Sequence, residues 1–209
     1  MEKKIAEELL SIGAVFLRPE EPFTWASGIK SPIYCDNRLI LSAPEVRRDV
    51  ENGLAGLVRQ HYPGCRMLMG TSTAGIAHAA LTAEILGLPM GYVRGEAKSH
   101  GRTNRIEGRL EKGTPVVVVE DLISTAGSAI EVVEALREEG AEVLGIVSIF
   151  TYGMAKGLAR LAAAGTENHS LSCLDALVEV AVEKGVIAPE WKARILSFRD
   201  NPSDESWIK

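Results

Sequence analysis

Three cysteines, Cys35, Cys65 and Cys173, are all that 209 residues contain. An odd count without a C-x-x-C spacing argues against a disulfide framework or a structural zinc site, and it suits a reducing compartment. Aromatic residues make up only 5%, so Val, Leu, Ile and Ala must build the core. No apolar run approaches the roughly 18–20 residues that span a bilayer. The opening MEKKIAEELLSIG carries Glu2, Glu7 and Glu8 and no long apolar stretch; it reads as an amphipathic helix and not as a signal peptide. The expectation is a soluble cytoplasmic protein with no membrane partner. No two of the 20 glycines stand two residues apart, which excludes the dinucleotide-binding G-x-G-x-x-G. Gly28-Ile29-Lys30-Ser31 ends like a nucleotide-binding P-loop, but it lacks the glycine-rich lead-in and the preceding strand.

What is present is apolar and slightly acidic. Apolar residues reach 46%, enough for a sizeable core. At about 150 residues per domain the length fits a single α/β domain with an added subdomain. The net charge of −5 argues against coating a nucleic acid. Positive charge is instead gathered locally. Residues 94–112 hold Arg94, Lys98, Arg102, Arg105, Arg109 and Lys112 against three glutamates, which suits a small anion.

Along the chain, helical periodicity is expected at 3–12 and 45–60, with loop and short strands over 19–42. Strands then alternate with helices: strands at 66–70, 90–94, 116–120 and 142–150, and helices at 76–86, 129–139, 154–164, 171–184 and 189–198. Residues 200–209 read as a polar tail. Alternation of this kind predicts βαβ units and a mainly parallel sheet covered on both faces. Ligands bind beyond the carboxyl ends of such strands, so the loops at 70–75, 94–113 and 120–128 are the places for chemistry.

The strongest motif is Val116-Val117-Val118-Val119-Glu120-Asp121-Leu122-Ile123-Ser124-Thr125-Ala126-Gly127-Ser128. Four valines make a buried strand, and two carboxylates stand where it ends. Small residues and hydroxyls then lead into a helix, whose N-terminus offers unpaired N–H groups and partial positive charge to a phosphate. Glu120 and Asp121 suit sugar hydroxyls, and Ser124, Thr125 and Ser128 suit the phosphate. A plain N-capping turn would account for one hydroxyl, worth about 1 kcal/mol. It would not account for paired acids at the end of a buried strand, which cost desolvation unless they bind something.

This stretch resembles the phosphoribosyl-diphosphate (PRPP) signature of the type I phosphoribosyltransferases. Two further segments are similar to the orotate-using branch of that family: Phe23-Thr24-Trp25-Ala26-Ser27-Gly28-Ile29-Lys30-Ser31-Pro32, and Arg94-Gly95-Glu96-Ala97-Lys98-Ser99-His100-Gly101. The resemblance covers Phe23 to about Gly153. It implies one phosphoribosyltransferase domain over 1–209, an α/β fold with a central mainly parallel β-sheet flanked by helices. Residues 1–42 would contribute a small N-terminal hood and 94–113 a mobile active-site loop.

The implied activity is transfer of ribose 5-phosphate from PRPP to orotate, giving orotidine 5′-phosphate and diphosphate on the pyrimidine route to UMP. Mg2+ would be held mainly by PRPP and water. A homodimer is implied, with loop 94–113 reaching the partner's site. The implied catalytic residues are Lys98, His100 and Asp121. PRPP would be bound by Arg94, Lys98, His100 and Glu120 through Ser128, that is Glu120, Asp121, Leu122, Ile123, Ser124, Thr125, Ala126, Gly127 and Ser128. Orotate would meet Ser124, Ser27 and Lys30. Thr71 to Gly75 matches the family's diphosphate-side loop.

The chain departs from the pattern of some bacterial members, which carry cations where it has Ala26, Ala74, Gly95 and Tyr152. Lys30 or Arg38 would have to compensate. His78 is expected to be packed in the core or an interface, and His61 and His169 to lie at surface or turn positions. Two other readings remain open: a phosphoribosyltransferase for another base, and a non-catalytic PRPP-sensing regulator.

Overall fold

The computed structural model describes residues 1–25, 28–95 and 105–208. The chain opens with helix α1 (Glu2–Ser11), whose Ile5, Ala6 and Leu9 recur at helical spacing and are buried. Four short strands follow: β1 (Val15–Leu17), β2 (Phe23–Thr24), β3 (Lys30–Ser31) and β4 (Ile33–Cys35). They pair as two antiparallel ribbons, β1 with β4 and β2 with β3. A 3-10 turn over Asn37–Ser42 leads to α2 (Pro44–His61), with Pro44 in the first turn, where its missing N–H costs nothing.

The α/β alternation then runs β5 (Met67–Thr71), α3 (Ala74–Leu86), β6 (Met90–Val93), β7 (Ile106–Glu107), β8 (Pro115–Ile123), α4 (Gly127–Glu138), β9 (Glu142–Thr151), α5 (Ala155–Ala163), β10 (Asn168–Cys173), α6 (Leu174–Glu183) and α7 (Trp191–Asp200). Six strands form the main sheet in the order β10-β9-β8-β5-β6-β7. All its pairings are parallel except β6 with β7. The expected mainly parallel sheet flanked by helices is therefore present.

The valine run of β8 shows why. Val117 and Val119 pack into a core shared with α1, α2, α3, α6 and α7, while Val116 and Val118 pack into a second core with α4. A strand buried on both faces has no need of polar alternation.

Four expectations need correction. Residues 171–173 are not the start of a helix but the end of β10, a polar strand that pairs with β9 from Asn168 to Cys173. Its Asn, His and Ser residues have weak strand propensity, and pairing at the sheet edge overrides it. His169 therefore lies in a strand, its ring stacked 3.6 Å from that of His61. Strand β8 continues through Asp121 to Ile123, three residues beyond the expected end, because β9 continues alongside it. Finally, the tail is not simply polar: Trp207, in a 3-10 turn over Ser206–Ile208, is buried against Phe198 at 5.7 Å between ring centroids. Among the described residues no helix is long and apolar enough to cross a membrane.

Candidate active site

Strands β5, β8 and β9 run parallel, so their carboxyl ends and the loops after them open on one edge of the sheet. The carboxylates of the strongest motif stand here. Glu120 is only 5% exposed. Its Oε1 accepts the Thr71 hydroxyl at 2.7 Å and the Asp121 N–H at 3.0 Å, and its Oε2 lies 3.4 Å from Ser128 Oγ. Burial, and then the neighbouring Asp121 carboxyl, push Glu120 up to about 8. It is thus a largely protonated acid at neutral pH, held inside the fold, and it knits the ends of β5 and β8 to the first turn of α4. Asp121 is half-buried, and its carbonyl accepts the Asn37 side-chain amide at 2.7 Å.

The turn after β8 is short. Ser124 and Thr125 are half-buried, and Ala126 adopts a left-handed conformation (φ 58°) from which α4 starts at Gly127. Gly127, Ser128 and Ala129 thereby present first-turn N–H groups at the sheet's carboxyl edge. The loop is braced from behind by α5. Arg160 Nη1 donates to the Thr125 carbonyl at 3.2 Å, and a Cβ at Gly157 would stand 2.5 Å from the Ser124 carbonyl oxygen. Only glycine lets α5 approach so closely.

The loop after β5 is held similarly. Ser72 Oγ donates to the Val93 carbonyl at 2.5 Å, which ties it to the end of β6. A Cβ at Gly75 would lie 2.4 Å from both Thr71 Oγ1 and the Val119 carbonyl oxygen. The peptide between Ser72 and Thr73 is cis. Arg94 leaves β6 beside these groups. Its N–H donates to the Arg105 carbonyl and its guanidinium lies 3.7 Å from Glu107.

The structure brings together Glu120, Asp121, Ser128 and the first turn of α4, whereas Arg94 stands at the end of β6 with its guanidinium toward Glu107. Ile123 belongs to the fold: its side chain is buried and its carbonyl accepts the Tyr152 N–H. Leu122 packs against the core. Lys30 stands on the β2–β3 ribbon, its ammonium donating to Thr24 Oγ1 at 2.7 Å. Lys98, His100 and Ser27 lie outside the described residues.

Tyr152, one of the positions where the resemblance implied a missing cation, is buried, 6.1 Å from the Trp25 ring, and burial raises its phenol above the usual range. Its ring packs in the core against Trp25 and Phe150. Arg38 is exposed and already paired with Asp36, Nε to Oδ1 at 2.6 Å. His78 is fully buried as expected, with Nδ1 2.7 Å from Glu51 Oε1.

Sequence reasoning named Thr71 only within the diphosphate-side loop, not as a partner of Glu120, and it missed Asn37 altogether. Both reach Glu120 or Asp121 from distant segments, and only a hydroxyl at the end of the RMLMGT strand hinted at the first.

Comparison with known proteins agrees with this fold. The phosphoribosyl transferase domain family matches residues 40–169. An orotate phosphoribosyltransferase of Bacillus anthracis is 58% identical over 208 residues, covering 100% of this chain and 99% of that one. The crystal structure of orotate phosphoribosyltransferase from Aeropyrum pernix superposes with a TM-score of 0.76 at 30% identity, covering 88% of this chain and 99% of that chain. UMP synthase of Leishmania donovani gives a TM-score of 0.81 at 28% identity over 94% of this chain, which spans 42% of the larger protein.

Proposed function

Because the chain belongs to the orotate phosphoribosyltransferases of the type I phosphoribosyltransferase family, we propose that its site transfers ribose 5-phosphate from PRPP to orotate, releasing diphosphate. The observation that carries this is the joining of Glu120, Asp121 and the α4 N-terminus at the end of β8. The α4 amides and the Ser124 and Thr125 hydroxyls receive the 5-phosphate. Asp121 takes the ribose hydroxyls, and Glu120 acts mainly by holding Asp121 and Ser128 in place. Arg94, with Lys98 and His100, meets the diphosphate, whose charge grows as the bond to C1 breaks. Lys30, Ser27 and Ser124 orient orotate.

Among the described residues no group of three or more His, Cys, Asp or Glu could hold a metal ion. Asp121 is the hard oxygen donor at the mouth of the site, and it suits a Mg2+ that arrives with PRPP and keeps water ligands. That ion would neutralise charge on the diphosphate.

A dimer completes the reading. Phe16 and Tyr34 face each other across β1 and β4 and are 41% and 42% exposed. Leu39, on the 3-10 turn packed against α3, and Leu81 and Ile85, on α3 itself, are exposed as well. A second copy would cover these apolar side chains, and the dimer reading gives loop 94–113 to the partner's site. Three free thiols suit the cytoplasm as its setting.

The test is incubation with PRPP, Mg2+ and each base in turn, following base loss by absorbance. Orotate should be consumed. Turnover of hypoxanthine but not orotate would replace the substrate, and absence of any PRPP turnover would remove the enzyme reading.

A further inference from the structure

We propose that Asn37, oriented by the Cys35 thiol, is a positioning residue for Asp121; this rests on the role given to Asp121 above. Asn37 is 1% exposed and opens the 3-10 turn directly after β4. Its Nδ2 donates to the Asp121 carbonyl at 2.7 Å, bridging 84 residues of sequence. Its Oδ1 accepts the Cys35 Sγ–H at 3.3 Å. Burial, then the Asp121 and Asp36 carboxylates, raise the Cys35 thiol well above its ordinary value, so it keeps the proton it donates. A thiol donor on one side and a carbonyl acceptor on the other allow only one orientation of the amide.

The turn that carries Asn37 is itself anchored. Asp36 N–H donates to the Ala14 carbonyl at 2.7 Å, and the Asp36 carboxylate accepts from Arg38 N–H at 3.2 Å and from its guanidinium. Asn37 is therefore a fixed strut between the N-terminal ribbons and the end of β8.

The strut acts where the sheet gives β8 less support. Pairing of β8 with β5 ends at Gly70 opposite Val119, two residues before Asp121. Beyond that point β8 pairs only with β9. The Asn37 amide takes the Asp121 carbonyl from outside the main sheet and so fixes the peptide that aims the carboxylate. A packed apolar side chain could fill the same space but could not set that orientation. Positional errors near 1 Å at a reacting group cost on the order of 10²-fold in rate, which is the scale at stake.

Asn37→Asp is the isosteric test. It keeps an acceptor for the thiol and turns an oxygen toward the Asp121 carbonyl. Folded N37D should lose roughly 10–100-fold in kcat/KM for PRPP, while KM for orotate stays near wild type. C35A should show a smaller loss of the same kind, and C35S, whose hydroxyl can donate, should recover it. Wild-type kcat/KM in folded N37D, C35S no better than C35A, or KM values for both substrates rising together would overturn the proposal. Should N37D not fold, the C35A and C35S pair decides.

PRPP binding by calorimetry without any base separates the two readings. Weaker binding by N37D than by wild type supports the strut whatever the acceptor base is. A wild-type protein that does not bind PRPP would overturn the site reading and the strut with it.

Discussion

Glu120 and Asp121 are neighbours in sequence with different surroundings and different partners. Glu120 is buried and pushed up to about 8 from 4.5. The folded state therefore binds a proton that the unfolded state releases, so stability from this group is full below about 4.5 and falls as pH rises through 8. Thermal midpoints measured from pH 5 to 8 should decline in the wild type, and Glu120→Gln should flatten that decline; an unchanged slope would show that Glu120 is not the group responsible. In the proposed reaction Asp121 touches the ribose. Asp121→Asn should lower kcat by roughly 10²–10⁴, the scale of a group acting at the reacting centre, with little effect on the thermal midpoint.

Each loop of the site is set by the element behind it. The turn at 124–126 depends on α5 approaching at Gly157. Gly157→Ala places a methyl 2.5 Å from the Ser124 carbonyl oxygen. It should cost about 1–3 kcal/mol, the usual price of overpacking, and weaken PRPP binding. Denaturant unfolding and calorimetry together would check both effects. The end of β5 depends on Thr71, whose hydroxyl donates to the buried Glu120 carboxyl. Thr71→Val keeps the shape and removes the donor, leaving a buried oxygen without it. About 1–3 kcal/mol of stability should be lost, and equal stability of the two proteins would show that the bond contributes nothing net.

Across the whole molecule, the last turn reaches the segment after the β2–β3 ribbon's first strand through a row of rings. Trp207 packs on Phe198, Phe198 on Trp25 at 5.8 Å, and Trp25 on Tyr152. The last turn therefore supports the segment that precedes Ser27. Trp207→Ala should cost about 3–5 kcal/mol and raise KM for orotate more than for PRPP; a stability loss with both KM values unchanged would confine the tail to a structural role. If two copies share their loops, mixing the inactive Lys98→Ala and Asp121→Asn proteins should restore activity, since one site of each mixed dimer would be intact. A mixture as inactive as its parents, with subunit exchange demonstrated, would place the loop in its own subunit's site.

The sequence alone determined the alternating α/β order, the buried valine strand and the acid-hydroxyl loop that follows it. These are local: the valine run encodes burial on both faces, and small residues after a strand encode a phosphate-sized turn before a helix. It misjudged β10 because an edge strand of Asn, His and Ser is specified by its partner β9 and not by its own composition. It read residues 200–209 as polar because one buried Trp does not make a pattern. It gave Glu120 and Asp121 the same task on the ribose hydroxyls, and the resemblance alone singled out Asp121 as catalytic. The tertiary structure gave them different partners, bringing Thr71 to one and Asn37 to the other across 49 and 84 residues. How far each carboxyl group is buried and which donor meets its residue depend on segments distant in sequence, and neither is encoded in the five residues on either side.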